Sequence, residues 1–171
     1  MNKTLITVLL FLLVSSPFYS QTKKDALKDA KIVAKATLEL DINTILEHTF
    51  PSILDIMGGK EKAKNLLKTT FDGMIQQGFV FEKVEVVSVS DIVEEQGEHR
   101  CYVENFNQMK IGDTRIKSKS FLLGIYDKKN KKWLFLEADE MKNKALLEQI
   151  LPGFKTSLKI PEDEVKTEKI N

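Results

Sequence analysis

The chain is poor in the residues that build disulfides and metal sites. It has one cysteine, two histidines, four prolines and one tryptophan among 171 residues. A single cysteine excludes a disulfide within the chain, and two histidines about 50 residues apart, without an HxH, HxxxH or CxxC pattern, predict no metal site. The GxxxxGK[ST] loop and the GxSxG turn are also missing, so we expect neither a bound nucleotide cofactor nor a nucleophilic serine of that class.

An apolar run extends from Leu5 to Val14, after one charged residue, Lys3, and before small and polar residues. This is the order of regions in a secretory signal peptide. The run is about half the roughly 20 residues that span a bilayer, so it favours a signal over a membrane anchor. We predict residues 1–20 as a signal peptide cleaved after Ser20. The product would be exported, to the periplasm or the medium, with no membrane span after cleavage.

The remainder of the chain has no net charge. Residues 1–20 contain one lysine and no acid, which leaves 25 basic and 25 acidic residues. A balanced surface gives no electrostatic reason to bind nucleic acid or an anionic membrane. Without a disulfide the core must supply the stability, and Cys101 is expected to be a buried, inert part of it. We predict one domain over residues 21–154 and a disordered tail over the polar residues 155–171.

The first half of this domain has the period of amphipathic helices. Residues 23–40 carry apolar side chains along one stripe. Residues 42–57 predict two short helices, because Pro51 has no backbone N–H and restricts the residue before it to extended geometry. Residues 60–77 give the clearest helical pattern, after a stop at Gly58-Gly59.

The second half changes to the alternation of β-strands. We expect strands over residues 79–90, 99–109, 114–127 and 133–139, then a helix over about 141–150 with Asp139 as its cap. Helices followed by consecutive antiparallel strands predict an α+β fold. In it, N-terminal helices pack on a curved meander sheet of about four strands, and a short C-terminal helix follows. A sheet curved around a helix leaves a concavity with an open end, which is a common small-molecule site.

Four segments carry a resemblance to a known superfamily. They are HTFPSILDIMGGKEK after the first helix, SKSFLLGIYD before a hairpin, KKWLFLEAD as the last strand and LEQILPGF…LKIPE at the end. In their order, over residues 40–162, the chain resembles the nuclear transport factor 2-like superfamily of cystatin-like α+β cones, and within it an uncharacterised group of exported bacterial proteins. The resemblance implies the cone-shaped fold and an exported location. It implies no activity, because the superfamily includes isomerase-like and dehydratase-like enzymes and many proteins that only bind ligands or partners.

The resemblance also directs attention to polar residues that can face the inside of the cone, and Asn105 and Asp139 are among those on predicted strands. Candidates for catalysis are His48, His99, Glu104 and Glu137, and candidates for ligand contact are Tyr102, Trp133 and Phe135. Glu137 has the strand parity of Trp133 and Phe135, so it can face an apolar interior that would raise its pKa and suit it to act as a base. No spacing among these residues singles out a catalytic constellation.

Three functions stay open from the sequence. The leading hypothesis is an exported, non-enzymatic protein that binds a small apolar ligand or a protein partner. The second is an acid–base enzyme, isomerase-like or dehydratase-like, acting on a small hydrophobic molecule, which requires an acid or histidine with a perturbed pKa in an open pocket. The third is a structural homodimer of the envelope, formed through the sheet.

Overall fold

A computed structural model describes residues 22–170, so the predicted signal peptide lies outside the described part of the chain. The helices are α1 (Lys23–Glu39), α2 (Ile42–Glu47), α3 (Pro51–Ile56), α4 (Lys60–Gln76) and α5 (Lys144–Ile150), with a 3-10 turn over Ala138–Lys142 before α5. The strands are β1 (Phe79–Val89), β2 (Val93–Glu95), β3 (Glu98–Ile111), β4 (Thr114–Asp127), β5 (Lys132–Glu137) and β6 (Glu164–Lys169). No helix within residues 22–170 is long and apolar enough to cross a membrane.

The strands form one antiparallel sheet in which β1, β3, β4 and β5 are neighbours in that order. The two short strands extend the edges of this path. β2 pairs with β3 beyond the end of β1, and β6 pairs with residues 114–119 of β4 while β5 pairs with residues 122–127. Register shifts at Phe81/Lys83 and Val86/Ser88 interrupt the ladder between β1 and β3, and such bulges bend a strand. The predicted α+β fold, with helices on an open, curved antiparallel sheet, is confirmed.

Helix α1 packs closely on the concave face because its contact residues are small. A capping box between Thr22 and Asp25 fixes its first turn. Ala26 and Ala30 then lie in the main core, together with Val89, Cys101, Val103, Leu122, Trp133 and Phe135. Cys101 is fully buried, and this burial raises its thiol pKa to about 12, so the side chain stays protonated as expected.

Packing is equally close inside the sheet at Gly124. A Cβ atom at this position would lie 3.1 Å from Cys101 Sγ and 3.2 Å from Phe135 Cε1. Any larger residue would displace both side chains from position 124, and interiors at native density tolerate little such displacement. Gly124 therefore lets β3, β4 and β5 share one compact layer of side chains.

The segment between α2 and α3 runs along the outer edge of β5. Phe135 N–H donates to the His48 carbonyl (2.8 Å), and Phe50 N–H donates to the Phe135 carbonyl (3.3 Å). Pro51 is the first residue of α3, so the predicted helix break before it is confirmed. The joint between the two helices also ties the helical layer to the sheet.

Helix α4 packs less completely than its apolar stripe predicts. Only Ala63 is buried, while Leu66 and Ile75 are 55% and 49% exposed. Leu67 and Met74 face the space between the helix and the sheet. The helix therefore covers the concavity instead of filling it.

The C-terminal region differs from its prediction. Residues 155–170 are ordered, because Leu158 and Ile160 pack on the convex side against the cluster of Leu123, Ile125 and Leu136, and residues 164–169 form β6. β6 is exposed along its length and is held by the backbone ladder and by ion pairs of Glu168 with Arg115 (3.4 Å) and Lys117 (3.0 Å). Polar composition cannot reveal a strand that is held in this way, and the domain extends past residue 154. The cap of α5 is likewise Asn143 and not Asp139.

A buried arginine fixes the segment that leads to β6. Arg100 is 2% exposed, and its Nη1 donates to the Lys155 carbonyl (2.6 Å) while Nε and Nη2 donate to Glu98 (3.0 and 2.6 Å). Nη2 also donates to Gln96, and the guanidinium lies 4.4 Å from the ring centroid of Phe154. A buried charge is tolerated when its hydrogen bonds are satisfied in this way.

We expect Arg100→Met to lower the free energy of unfolding by about 2–4 kcal/mol, because it leaves the Lys155 carbonyl and the Gln96 and Glu98 side chains without their buried partner. Urea unfolding measures the loss, and hydrogen exchange should show faster exchange over residues 155–163, the segment before the strand that Arg115 helps to hold. Arg115→Met, on the charged outer surface, is the matched control and should cost clearly less. Equal losses in the two variants would contradict the anchoring role of Arg100.

Candidate functional site

A cavity with a volume of about 440 Å³ lies between the concave face of the sheet and helices α1 to α4. Its wall is mostly apolar, and the larger contributors are Leu67, Met74, Phe79, Phe81, Leu122 and Phe135. The volume falls in the range of small-molecule sites, roughly 300–1,000 Å³. The cone is therefore open and is not a filled core.

Three polar side chains line the floor of this cavity on the two central strands. Asn105 and Asn107 have the strand parity of Cys101 and Val103, and Ser120 is paired with Asn105 across β3 and β4. Asn107 Nδ2 donates to Ser120 Oγ (3.2 Å). Alternation along the strands thus places three polar side chains on the floor of a cavity that is otherwise mostly apolar.

Asn105 has unmet hydrogen-bonding capacity. It is 9% exposed, and its buried Oδ1 has no hydrogen-bond partner among residues 22–170. An unsatisfied buried polar group costs about 1–3 kcal/mol, so such groups are few in folded proteins. A bound molecule with a donor would remove this cost.

Glu137 lies at the end of β5, opposite Leu122, with its exposed surface toward the cavity. Glu137 is an exposed residue, but the protein around its carboxyl still reduces its solvation, and this loss is the largest cause that raises its pKa to about 7. The acidic neighbours Asp163, Glu140 and Asp139 raise the pKa further by repulsion. Glu137 therefore exchanges its proton near neutral pH.

His48 lines the cavity beside the outer edge of β5. Its Nδ1 lies 3.0 Å from the Trp133 carbonyl oxygen, which can only accept, so Nδ1 carries the proton. Its ring faces Phe135 at a centroid distance of 6.5 Å. In the neutral ring Nε2 is then left as an acceptor.

Of the seven residues that the sequence offered as candidates, three line the cavity: His48, Phe135 and Glu137. Tyr102 and Glu104 belong elsewhere, on or toward the convex side. Tyr102 packs on Phe121 (5.9 Å between centroids), and Glu104 accepts from Ser88 Oγ (3.0 Å). His99 and Trp133 are also outside the cavity lining. Trp133 is fully buried in the core beside Tyr126, and His99 lies edge-on to that tyrosine.

Asn105, which the sequence offered only as a residue able to face inward, lines the cavity, and so do Asn107, Ser120 and Glu140, which the candidate list omitted. Strand parity could have found Asn107 and Ser120, because they alternate in register with inward-facing apolar residues. Glu140 had no such signal, since it lies in a 3-10 turn between the expected last strand and the expected last helix. Among residues 22–170 there is no group of three or more histidine, cysteine or acidic side chains that could hold a metal ion.

Comparison with known proteins identifies no family for this chain. No family model matches the chain, and no curated protein matches it. One solved structure, titled as an M. tuberculosis LEH-like epoxide hydrolase, aligns with 77% of this chain and 92% of its own at 14% identity and a TM-score of 0.38. The assignment of the site therefore depends on its own residues.

The raised pKa of Glu137 makes stability depend on pH. The carboxyl titrates near 4.5 when unfolded and near 7 when folded, so between these values the folded state holds more protons and stability falls as the pH rises. Glu137→Gln should remove this fall. Its unfolding free energy should match that of the wild type at pH about 4 and exceed it increasingly up to pH about 8.

Urea unfolding of both chains across this pH range measures the difference. Glu94→Gln removes an equal charge from an exposed position and is the control. A constant difference between Glu137→Gln and the wild type at every pH would show that Glu137 titrates normally.

Proposed function

We propose that the protein binds a small, mostly apolar molecule in the cavity between the sheet and helices α1 to α4. The observation that carries the proposal is the cavity itself, which persists although the chain has enough apolar side chains to close it. Leu66 and Ile75 of α4 remain exposed to solvent while Leu67 and Met74 face an open space. Burial of an apolar ligand there would gain contacts that the free protein lacks.

The cavity can be closed from α1. Ala34 is 8% exposed and lines the wall, so Ala34→Phe places a ring in the space a ligand would occupy. With the neutral fluorescent probe N-phenyl-1-naphthylamine, we expect one site per chain and binding weakened about 10-fold or more in this variant, because the ligand would have to displace the new side chain.

Ala145→Phe adds the same ring on the exposed face of α5 and should bind as the wild type does. Circular dichroism and thermal unfolding check that both variants are folded. Equal probe affinity in Ala34→Phe and the wild type, or no binding of the probe by the wild type, would overturn the proposal.

A second function is favoured by Glu137. A carboxyl that exchanges its proton near neutral pH, in an apolar cavity beside His48 and an unpaired asparagine, has the properties of a general base or acid. The chemistry would be proton transfer at a carbon next to a carbonyl group, as in an isomerase or dehydratase. Glu137 would accept the carbon-bound proton, and Asn105 Nδ2 could donate to the enolate oxygen.

Exchange of deuterium from D₂O into cyclohexanone, followed by NMR, tests this chemistry. We expect the protein to accelerate exchange and Glu137→Gln to lower the protein-dependent rate by about 100-fold or more, because general-base catalysis contributes on this order. Glu94→Gln should keep the wild-type rate. Exchange that is no faster than in protein-free buffer would favour binding without catalysis for this class of compound.

Export completes the proposal. Its support is the order of charged, apolar and small residues before Gln21. Intact mass of the protein recovered outside the cytoplasm checks it, and we expect a chain that begins at Gln21.

A further inference from the structure

The cavity has a polar side on which hydrogen-bond acceptors outnumber donors. We call Asn105, Glu137 and Glu140 the acceptor group. Neither carboxyl has an ion pair or side-chain hydrogen bond within residues 22–170, and Asn105 Oδ1 has no donor there. Asn107 Nδ2 is occupied by Ser120, so the amide Nδ2 of Asn105 is the donor that remains beside these oxygens. Donors are therefore too few for the acceptors on this side of the cavity.

The charge around the acceptor group has one sign. The residues that line the cavity include no lysine or arginine. The charges that act on Glu137 come from Asp139 and Glu140 on the 3-10 turn and from Asp163 on the segment before β6, and all are acidic. Lys142, the cation on the same turn, is paired with Asp139 (2.8 Å) and with Glu162. No basic residue of the lining therefore competes for Glu137 and Glu140, and a cationic group of a ligand would pair with them directly.

These two features separate three kinds of apolar ligand by their polar group. A carboxylate would bring a negative charge and further acceptors toward two unpaired acids, and the like charges would repel. An alcohol offers one donor. An ammonium group offers up to three N–H donors, no acceptor and a positive charge. It therefore supplies both the donors and the positive charge that this side of the cavity needs.

We propose that the ligand of this cavity is a hydrophobic amine, bound as its ammonium form with the charged nitrogen at Glu137 and Glu140 and the hydrocarbon part against the phenylalanine-lined wall. The inference rests on the proposed ligand binding and specifies the class of molecule. Phe79, Phe81 and Phe135 fit both halves of such a ligand, because aromatic rings pack on hydrocarbon and attract cations.

Binding of the ammonium ion would be linked to a proton. At neutral pH part of the Glu137 population is protonated, and the ion pair requires the carboxylate. Amine binding should therefore release protons, and the affinity should rise as the pH increases from about 6 to 8, since alkylamines stay protonated in this range. His48 lines the same cavity, so a Glu137 variant is needed to assign the effect.

Three probes of equal chain length test the inference: decylamine, decanol and decanoic acid, each titrated calorimetrically into the purified protein at neutral pH below its aggregation concentration. We expect decylamine to bind about 10-fold or more tighter than decanol, as for a gained charge-assisted hydrogen bond, and decanoic acid to bind most weakly. Titration in two buffers of different ionisation enthalpy should show proton release with decylamine and none with decanol.

Variants connect the preference to the acceptor group. Glu137→Gln should abolish the proton release and reduce the preference for decylamine over decanol to about 3-fold or less, while decanol affinity stays within the same factor. Asn105→Leu, which keeps a similar volume, should weaken decylamine more than decanol. Glu94→Gln should behave as the wild type, which excludes a general effect of net charge.

The outcomes separate this inference from the binding proposal. If decanol or decanoic acid binds as tightly as decylamine, and Ala34→Phe weakens that binding, the cavity is a ligand site and the amine inference is wrong. If none of the three binds and the neutral probe of the previous section also fails, binding itself is overturned. A decylamine preference that Glu137→Gln leaves intact would place the ammonium group elsewhere and would also refute the inference.

Discussion

The backbone pairing of Phe135 with His48 and Phe50 is the contact on which the rest of the architecture depends. It is a direct hydrogen-bonded link between the helical layer and the edge of β5, beside the bond from Trp133 N–H to Asp29 of α1 (2.8 Å). It ends α2, lets Pro51 begin α3, and brings the His48 ring to the Trp133 carbonyl. The same pairing occupies part of an edge strand that would otherwise offer free N–H and C=O groups to another chain. Because the helices are held at this edge, the space over the centre of the sheet can stay open.

Local chemistry explains which elements could be predicted from the sequence. The period of α1, the break at Pro51 and the alternation of β3 and β4 are each encoded within a short stretch, so their positions follow from the residues alone. β6 could not be predicted, because a fully exposed strand carries no apolar alternation and depends on partners about 50 residues away in β4. Strand parity indicated that Glu137 can face inward. Its raised pKa could not be predicted, because the loss of solvation and the nearby Asp163 arise only when the chain folds.

Asn105 and Glu137 each lower the free energy of unfolding. One leaves a buried oxygen without a donor, and the other loses solvation in an apolar cavity beside three other acids. Departures of this kind from an otherwise consistent core are typical of functional sites, where stability is given up for binding or chemistry. Both departures face one cavity, which favours it as the place where the protein acts. His99 Nδ1 and Trp133 Nε1 are also buried without a partner among residues 22–170, but they lie outside this cavity in a separate aromatic group with Tyr126.

The ion pairs that hold β6 also affect the hydration of the outer surface of the sheet. Arg115 bonds Glu82 (2.6 Å) as well as Glu168, and Lys117 completes the row, so neighbouring cations and anions neutralise one another within the chain. A second copy laid on this surface would have to dehydrate charges that already have partners, and few unpaired groups would remain to compensate. Covering this part of the outer surface with a partner would therefore cost the dehydration of ion pairs that water now surrounds.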